Sequence, residues 1–292
     1  MEKIKRAVEA SKHSKKKAHR FEDLQKHIIP NNETKQGEMH HDELNEPTLN
    51  NHEDINVEYK QTRVVTLNHE HLAKNRIVAF NKNIHLALGF DILRTQVIKK
   101  MLENNWHTLA ITSPIPACGK TTVAVNLAMS IAHHTNRTAM LVDFDLRRPM
   151  VSKILGLPPE PSLNEVLSGE ATIAESLVNP GLDRLVILPT NRPVINSSEV
   201  LASRKVGNLV TELRERYDER IVIFDLPPLL STDDAMIMLS QVDCVLVVVG
   251  NGMVSKTELS ESMRYVDSDK LLGTVLNKSK SEQSNRGYYD YY

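Results

Sequence analysis

The sequence predicts an α/β fold: a doubly wound, mainly parallel sheet with helices on both faces. Over about 170 residues, short runs of Val, Ile and Leu alternate with stretches of helical spacing, the pattern of successive β-α units. The runs show no polar alternation, as strands do when helices cover both faces of their sheet. Two of the runs end in aspartate, at Asp143 and Asp225, and another leads into Gly119-Lys120-Thr121. In such sheets ligands bind beyond the carboxyl ends of the strands, so the chemistry is expected along one edge.

Taken in order, residues 1–75 are polar and rich in His, Asn, Lys and Glu. They hold too few spaced apolar residues to offset chain entropy, so this region is predicted to be largely disordered. Its first twenty residues carry eight Lys/Arg against two Glu, and residues 21–60 carry three Lys against ten Asp/Glu. Ile4, Ala7 and Val8 at helical spacing among these cations allow a short basic helix that touches anionic lipid or an acidic partner; a solvated charged tail is the plainer alternative. Residues 76–280 are predicted to form one domain. Its first helix lies within Ile84–Glu103, with a stripe of Leu86, Phe90, Leu93, Val97 and Leu102. Strands are predicted at Thr108–Ser113, Ala139–Asp143, Leu185–Leu188, Ile221–Asp225, Cys244–Val249 and Leu272–Leu276. Helices are predicted at Lys120–His133, Met150–Leu155, Leu163–Ser168, Ser198–Tyr217, Asp234–Ser240 and Lys256–Val266. Residues 281–292 have no apolar pattern and read as a flexible, tyrosine-rich tail.

Composition narrows the function. Hydrophobic residues at 40% and charged residues at 25% describe a soluble globular protein, and a net charge of −1 gives no global case for nucleic acid. Two distant cysteines, Cys118 and Cys244, imply no disulfide framework and suit a reducing compartment. No apolar run approaches the roughly 20 residues that span a bilayer, and the first segment lacks a secretory apolar core, so a cytoplasmic location is expected. The twelve histidines show no metal-ligand spacing with Cys or acid partners. Cys118 reads as a small side chain filling its loop, and Cys244 as core.

Three motifs carry the chemistry. Ser113-Pro114-Ile115-Pro116-Ala117-Cys118-Gly119-Lys120-Thr121-Thr122 joins an apolar run to a helical pattern, the layout of a phosphate-binding loop. In the loop Pro116–Thr122, the backbone N–H groups after Pro116 and the helix N-terminus would hold phosphate oxygens; Lys120 would reach the terminal phosphates and Thr121 would ligate Mg²⁺. Pro114 stands where the usual pattern has glycine. The sheet is thereby of the P-loop NTPase type. In Leu141-Val142-Asp143-Phe144-Asp145, a strand delivers Asp143 to the active edge with Asp145 two residues on, a pair able to hold Mg²⁺ or take a proton. Ile221-Val222-Ile223-Phe224-Asp225, followed by Leu226-Pro227-Pro228, has the Walker B form, and its prolines force the chain out of the strand.

Together, Pro-x-x-Gly-Lys-Thr, Asp-x-Asp-Leu-Arg-Arg-Pro, Asp-x-Pro-Pro and the terminal tyrosines resemble the bacterial tyrosine kinases of capsule and exopolysaccharide assembly. The resemblance covers residues 76–292. It implies an ATP and Mg²⁺ site with Lys120 and Thr121 on phosphate and metal, and Asp143, Asp145 and Asp225 around the metal; Asp143 is the expected base for a tyrosine hydroxyl. Asn277 matches an Asn that contacts adenine in related ATPases, or else is a turn residue after a strand. The resemblance also implies a homo-oligomer, a transmembrane activator in a separate chain, a cognate tyrosine phosphatase, and a place at the inner face of the plasma membrane. The family's usual Glu-x-x-Arg-x-x-Arg is mostly absent, with Leu88, Asp91 and Arg94 at those positions.

Four of the seven tyrosines, Tyr288, Tyr289, Tyr291 and Tyr292, lie in the last five positions. They are the expected acceptors of autophosphorylation, each gaining roughly −1.5 to −2 charge and so pushed from an acidic metal site. Two alternatives stand beside the autokinase: a non-kinase ATPase switch of the partition and septum-placement type, and a scaffold with a decayed ATP site. The first lacks its signature lysine here, since Ile115-Pro116-Ala117 occupies those positions.

Overall fold

The computed structural model describes residues 62–80, 87–134, 137–159, 161–217 and 219–279. The possible basic helix and the four tail tyrosines lie outside the described residues. The chain enters through β1 (Arg63–Val64), α1 (His69–Lys74) and α2 (Leu88–Glu103). Then come β2 (Thr108–Thr112), α3 (Lys120–His134), β3 (Thr138–Asp143), α4 (Val151–Leu155), α5 (Leu163–Ser168) and α6 (Ile173–Ser176). β4 (Val178–Asn179) and β5 (Leu185–Leu188) precede α7 (Ser197–Leu201), α8 (Arg204–Glu215) and β6 (Arg220–Asp225). The last elements are α9 (Asp234–Leu239), β7 (Cys244–Gly250), α10 (Lys256–Met263) and β8 (Leu271–Asn277).

The strands form one eight-stranded sheet in the order β1-β4-β5-β3-β6-β2-β7-β8. Neighbours run parallel except β4 beside β5. The expected double covering is visible residue by residue. In β3, Ala139 and Leu141 join one core while Met140 and Val142 join the other; β6 divides Ile221 and Ile223 from Val222 and Phe224 in the same way. Val123, Leu127 and Ile131 of α3 pack in the first core, and Val206, Leu209, Val210 and Leu213 of α8 in the second. Each fully buried aliphatic side chain contributes about 1.5–3 kcal/mol, so alternation is enforced along the inner strands β2, β3, β5 and β6, buried throughout.

Two expectations are corrected. The single helix over Ser198–Tyr217 is two, because Ser203 takes extended dihedrals and its hydroxyl accepts from Val206 N, capping α8. The domain also begins before residue 76. β1 pairs with β4, and Leu67, Leu72, Ile77 and Ala79 are buried in the first core. These few apolar residues gain order from a surface that the rest of the chain assembles.

Asn126 fastens this entry segment. Its Oδ1 accepts from Val78 N at 2.8 Å and Ala79 N at 2.9 Å, while its Nδ2 donates to Arg76 O and Thr122 O. At the expected oligomer motif, Arg94 donates to Asp91 Oδ1 at 2.7 Å and to Ser130 Oγ at 3.1 Å, all within one chain. Among the described residues no helix is long and apolar enough to cross a membrane.

Candidate active site

Three parallel strands bring the motifs together. Asp143 ends β3 in register with Asp225 at the end of β6, and Ile111 of β2 is in register with Asp225 from the other side. The loop leaving β2 therefore emerges at the edge where both carboxylates arrive. Leu229 N donates to Ser113 O and Leu230 N to Pro114 O, so the chain after the Pro227-Pro228 break braces the loop. Pro114, lacking the usual glycine's freedom, is accommodated by this bracing.

The loop turns through left-handed backbone at Ala117, φ 64°, and Gly119, φ 93°. At Gly119 only glycine fits: a Cβ there would stand 2.3 Å from Asn277 Nδ2. That amide donates to Cys118 O at 2.8 Å, tying β8 to the loop. The Cys118 side chain is buried beneath the loop in the first core.

Lys120, at the start of α3, is the centre of the charge array. Its ammonium lies 2.8 Å from Asp145 Oδ2 and 3.5 Å from Asp225 Oδ1, and donates to Thr121 Oγ1 at 3.2 Å. Thr121 Oγ1 donates to Asp225 Oδ2 at 2.6 Å. Burial works against the Lys120 charge, but Asp225 and then Asp145 outweigh it and hold its pKa above the ordinary lysine value. Asp143 accepts on Oδ2 from Met150 N and Val151 N, at the start of α4, and on Oδ1 from Asp145 N. Burial, with Asp225 next to it, pushes the Asp143 carboxyl well above the usual range. Burial also raises Asp225, although Lys120 and Thr121 oppose the shift.

These shifts have a sign that can be measured. A carboxyl raised in the folded state contributes stability that is complete below its unfolded pKa and is lost as pH rises through the folded value. Between about pH 5.5 and 8, above the ordinary carboxylate range, the ligand-free protein is expected to lose stability through Asp143 and Asp225. Asp143→Asn should flatten that loss in denaturant titrations at the two pH values. Parallel curves for wild type and variant would count against the assignment.

A cavity of about 830 Å³ opens over this array. Of the sequence-predicted residues, Pro116, Ala117, Gly119, Lys120, Thr121, Thr122 and Asp145 line it. Cys118, Asp143, Asp225 and Asn277 stand behind the lining. Asp143 thus differs from the expected base, being fully buried with both oxygens engaged by backbone N–H groups. Sequence reasoning missed Lys74 and Arg76, which reach the cavity from the entry segment; the β-rich run Arg63–Leu67 and the Asn68 cap were the available signals. It also gave no role to Arg147. That guanidinium donates to both oxygens of buried Asp234, at 3.0 and 3.2 Å, while Ser197 donates to the same carboxylate at 2.6 Å. Burial would raise the Asp234 pKa, but Arg147 and the serine hydroxyls hold it below the ordinary value.

The donor set fits a nucleotide and a hard cation. Thr121 and Asp225 offer paired oxygens of the kind Mg²⁺ prefers, and the loop precedes a helix N-terminus, which favours phosphate. The cavity volume falls within the range of ligand sites, about 300–1,000 Å³.

Comparison with known proteins gives the family. The AAA domain family matches residues 108–274. A relative in Staphylococcus aureus, the putative tyrosine-protein kinase CapB, is 29% identical over 70% of this chain and 88% of its own length. Tyrosine-protein kinase YwqD of Bacillus subtilis is 30% identical over 68% of this chain and 84% of its own. Tyrosine-protein kinase wzc of Salmonella typhimurium is 27% identical over 75% of this chain, which spans only 31% of that longer protein. Among solved structures, the chimerical protein CapA2B2 aligns with a TM-score of 0.65 at 27% identity, covering 74% of this chain and 93% of that one. The kinase domain of the Escherichia coli tyrosine kinase ETK aligns at 0.62 and 27% identity, covering 70% and 80%. With a family match over more than half its length, and these relatives, the chain belongs to the bacterial tyrosine-protein kinases, with an AAA domain.

Proposed function

We propose that this chain is an ATP-dependent tyrosine autokinase whose acceptors are Tyr288, Tyr289, Tyr291 and Tyr292, and that it regulates synthesis or export of a polysaccharide. The observation that carries the reading is the array at the cavity floor, where Lys120, Thr121, Asp145 and Asp225 meet within 3.5 Å. Family membership supports the tyrosine acceptor, and the motif resemblance supports the polysaccharide.

Lys120 and the backbone N–H groups of the loop after Pro116 would bind the phosphates; Thr121 and Asp225 would hold Mg²⁺, with Asp143 behind them. Bound Mg-ATP supplies the phosphoryl group and neutralises charge on its oxygens. We assign the base to Asp145 rather than Asp143, because Asp145 lines the cavity. Its carboxylate would accept the tyrosine proton as the phenolic oxygen bonds to the γ-phosphorus of ATP and the bond to ADP breaks, and Asp143 keeps that loop in place through Asp145 N and the start of α4. Asn277 supports the loop through Cys118 O, and in this reading it acts on the nucleotide through that loop. The tail, residues 281–292, spans on the order of 40 Å when extended, enough to serve a neighbouring copy. The chain acts at the inner face of the plasma membrane, as a homo-oligomer with a membrane activator in a separate chain and a tyrosine phosphatase opposing it.

Incubating the full chain with Mg-ATP should place phosphotyrosine on the tail peptide, read by mass spectrometry. The signal should vanish when the four tail tyrosines are replaced by Phe. An unmodified wild-type tail, even with a membrane activator supplied, would sink this reading, and ATP hydrolysis without tyrosine modification would point to the ATPase switch.

A further inference from the structure

The cavity carries more positive charge than its catalytic floor uses. Lys74 lines it from the last position of α1, Arg76 from the turn that follows, Arg148 from the turn after β3, and Lys278 as the residue directly after β8. All four are exposed, and none makes an ion pair or a side-chain hydrogen bond among the described residues. The contrast with their neighbours is informative. Arg147 also lines the cavity but is bound to Asp234, and the lining carboxylate, Asp145, is already paired with Lys120.

Two of these cations stand on a braced platform. His71 Nε2 contacts Lys153 O at 2.9 Å, joining α1 to α4, and Asn126 joins Arg76 O to Thr122 O of the phosphate-loop helix. Arg76 is held at φ 60°, left-handed backbone that a non-glycine residue adopts at a cost. Exposed cations without partners among the described residues, two of them on this braced segment beside the phosphate loop, offer a binding surface for a further anion. Lys278 adds a direction: the polypeptide leading to the tyrosine cluster leaves the described fold from the wall of this cavity.

We propose that Lys74, Arg76, Arg148 and Lys278 form a second phosphate site, whose ligand is a phosphotyrosine already installed on a tail. The inference rests on the autokinase reading. The site holds the partly phosphorylated tail while the next hydroxyl comes to Asp145, so modification of one tyrosine promotes that of its neighbours. The spacing suits this: residues one to three apart lie roughly 3.5–10 Å apart in an extended chain, within reach of one cavity. Arginine binds phosphate oxygens through paired N–H groups, and a phosphotyrosine brings roughly −1.5 to −2 charge to them. In this reading the floor is taken by the nucleotide phosphates on Lys120 and the loop, and the cationic wall takes the phosphotyrosine.

A phosphate on the nucleotide is the other source of the same chemistry, and two binding arms separate them. The full chain, with its four tail tyrosines changed to Phe and saturated with Mg-ADP, is titrated with a labelled peptide of residues 285–292. The peptide carrying phosphotyrosine at 292 should bind at least about tenfold tighter than the unmodified one, and added salt should erode the difference. Combining Lys74→Gln, Arg76→Gln and Arg148→Gln should remove about tenfold of that affinity while shifting ATP affinity less than about twofold. Should that variant melt early, Lys278→Gln carries the same comparison with a loss of about threefold. In chains that keep their tyrosines, intact mass should show wild type passing quickly to multiply phosphorylated forms and the triple variant accumulating singly phosphorylated ones. Equal affinity for the two peptides would overturn the proposal, as would an equal loss of ATP and phosphopeptide affinity. The peptide arm needs no catalysis, so failure of the autokinase reading would appear separately, as wild type without phosphotyrosine.

Discussion

Replacing Lys120 with Met should slow tail phosphorylation by about two to three orders of magnitude, the usual cost of losing a group that meets transition-state charge. The same substitution should destabilise the ligand-free protein. Lys120 is the cation set among Asp145, Asp225 and, farther off, Asp143, and its side chain is only 11% exposed. Removing one partner of a buried ion pair costs about 3–5 kcal/mol when the other charge has no escape. Here the raised carboxyls can take up a proton instead, so a loss of about 2–3 kcal/mol at pH 8 is expected. The sign of its pH dependence follows. Protonated carboxyls need no counter-ion, so the penalty should shrink at pH 5.5. Denaturant midpoints at the two pH values, with phosphotyrosine yield from the same preparations, test both halves. A Lys120→Met protein as stable as wild type at pH 8 would mean that the carboxylates do not depend on this ammonium.

Asp225→Asn should act on activity in the same direction and on stability in the opposite one. Its Oδ2 accepts from Thr121 at 2.6 Å, an arrangement that an amide oxygen can keep. What disappears is the charge that organises Mg²⁺, with an expected loss of about 100- to 1,000-fold in phosphoryl transfer and a higher Mg²⁺ requirement. In the folded state that charge is unfavourable, since burial, reinforced by Asp145, raises the Asp225 pKa despite Lys120. The variant should therefore unfold at the same or a higher temperature than wild type at pH 8. Thermal melts beside a Mg²⁺ titration of activity check this. Loss of stability with unchanged metal dependence would give Asp225 a structural role instead. The two substitutions thus separate the cation that neutralises the floor from the carboxylate that makes it metal-binding.

Much of the fold was legible because its signals are local. Val-Ile-Leu runs of strand length, the alanine-rich stretch after Lys120 and the prolines after Asp225 each mark an element within a few residues of themselves. The strand Leu185–Leu188 forms with its predicted bounds, and Cys244–Val249 extends by one residue to Gly250. The misreadings share a cause. A hydroxyl that can cap a helix can also sit inside one, so Ser203 did not reveal the break between α7 and α8. The residues before 76 give no ordered signal in sequence because Leu67 and Leu72 form no periodic stripe; they pack into the first core beside Ile77 and Ala79, on a segment that Asn126 of α3 holds from some 50 residues away.

The same division runs through the active site. Residue types and their spacing established an edge of a parallel sheet carrying Lys120, Thr121, Asp143, Asp145 and Asp225, because a phosphate loop and strand-end aspartates are properties of short segments. Which carboxylate faces the cavity is another matter. Asp143 and Asp145 are two residues apart and chemically alike, yet one caps the start of α4 and the other meets Lys120 at the cavity lining. Arg147 and Asp234 are 87 residues apart, and Asn277 and Cys118 are 159 apart. Such pairings depend on strand register and on how helices seat against the sheet. Those are settled by burial summed over both cores, and no short stretch of the chain records the outcome.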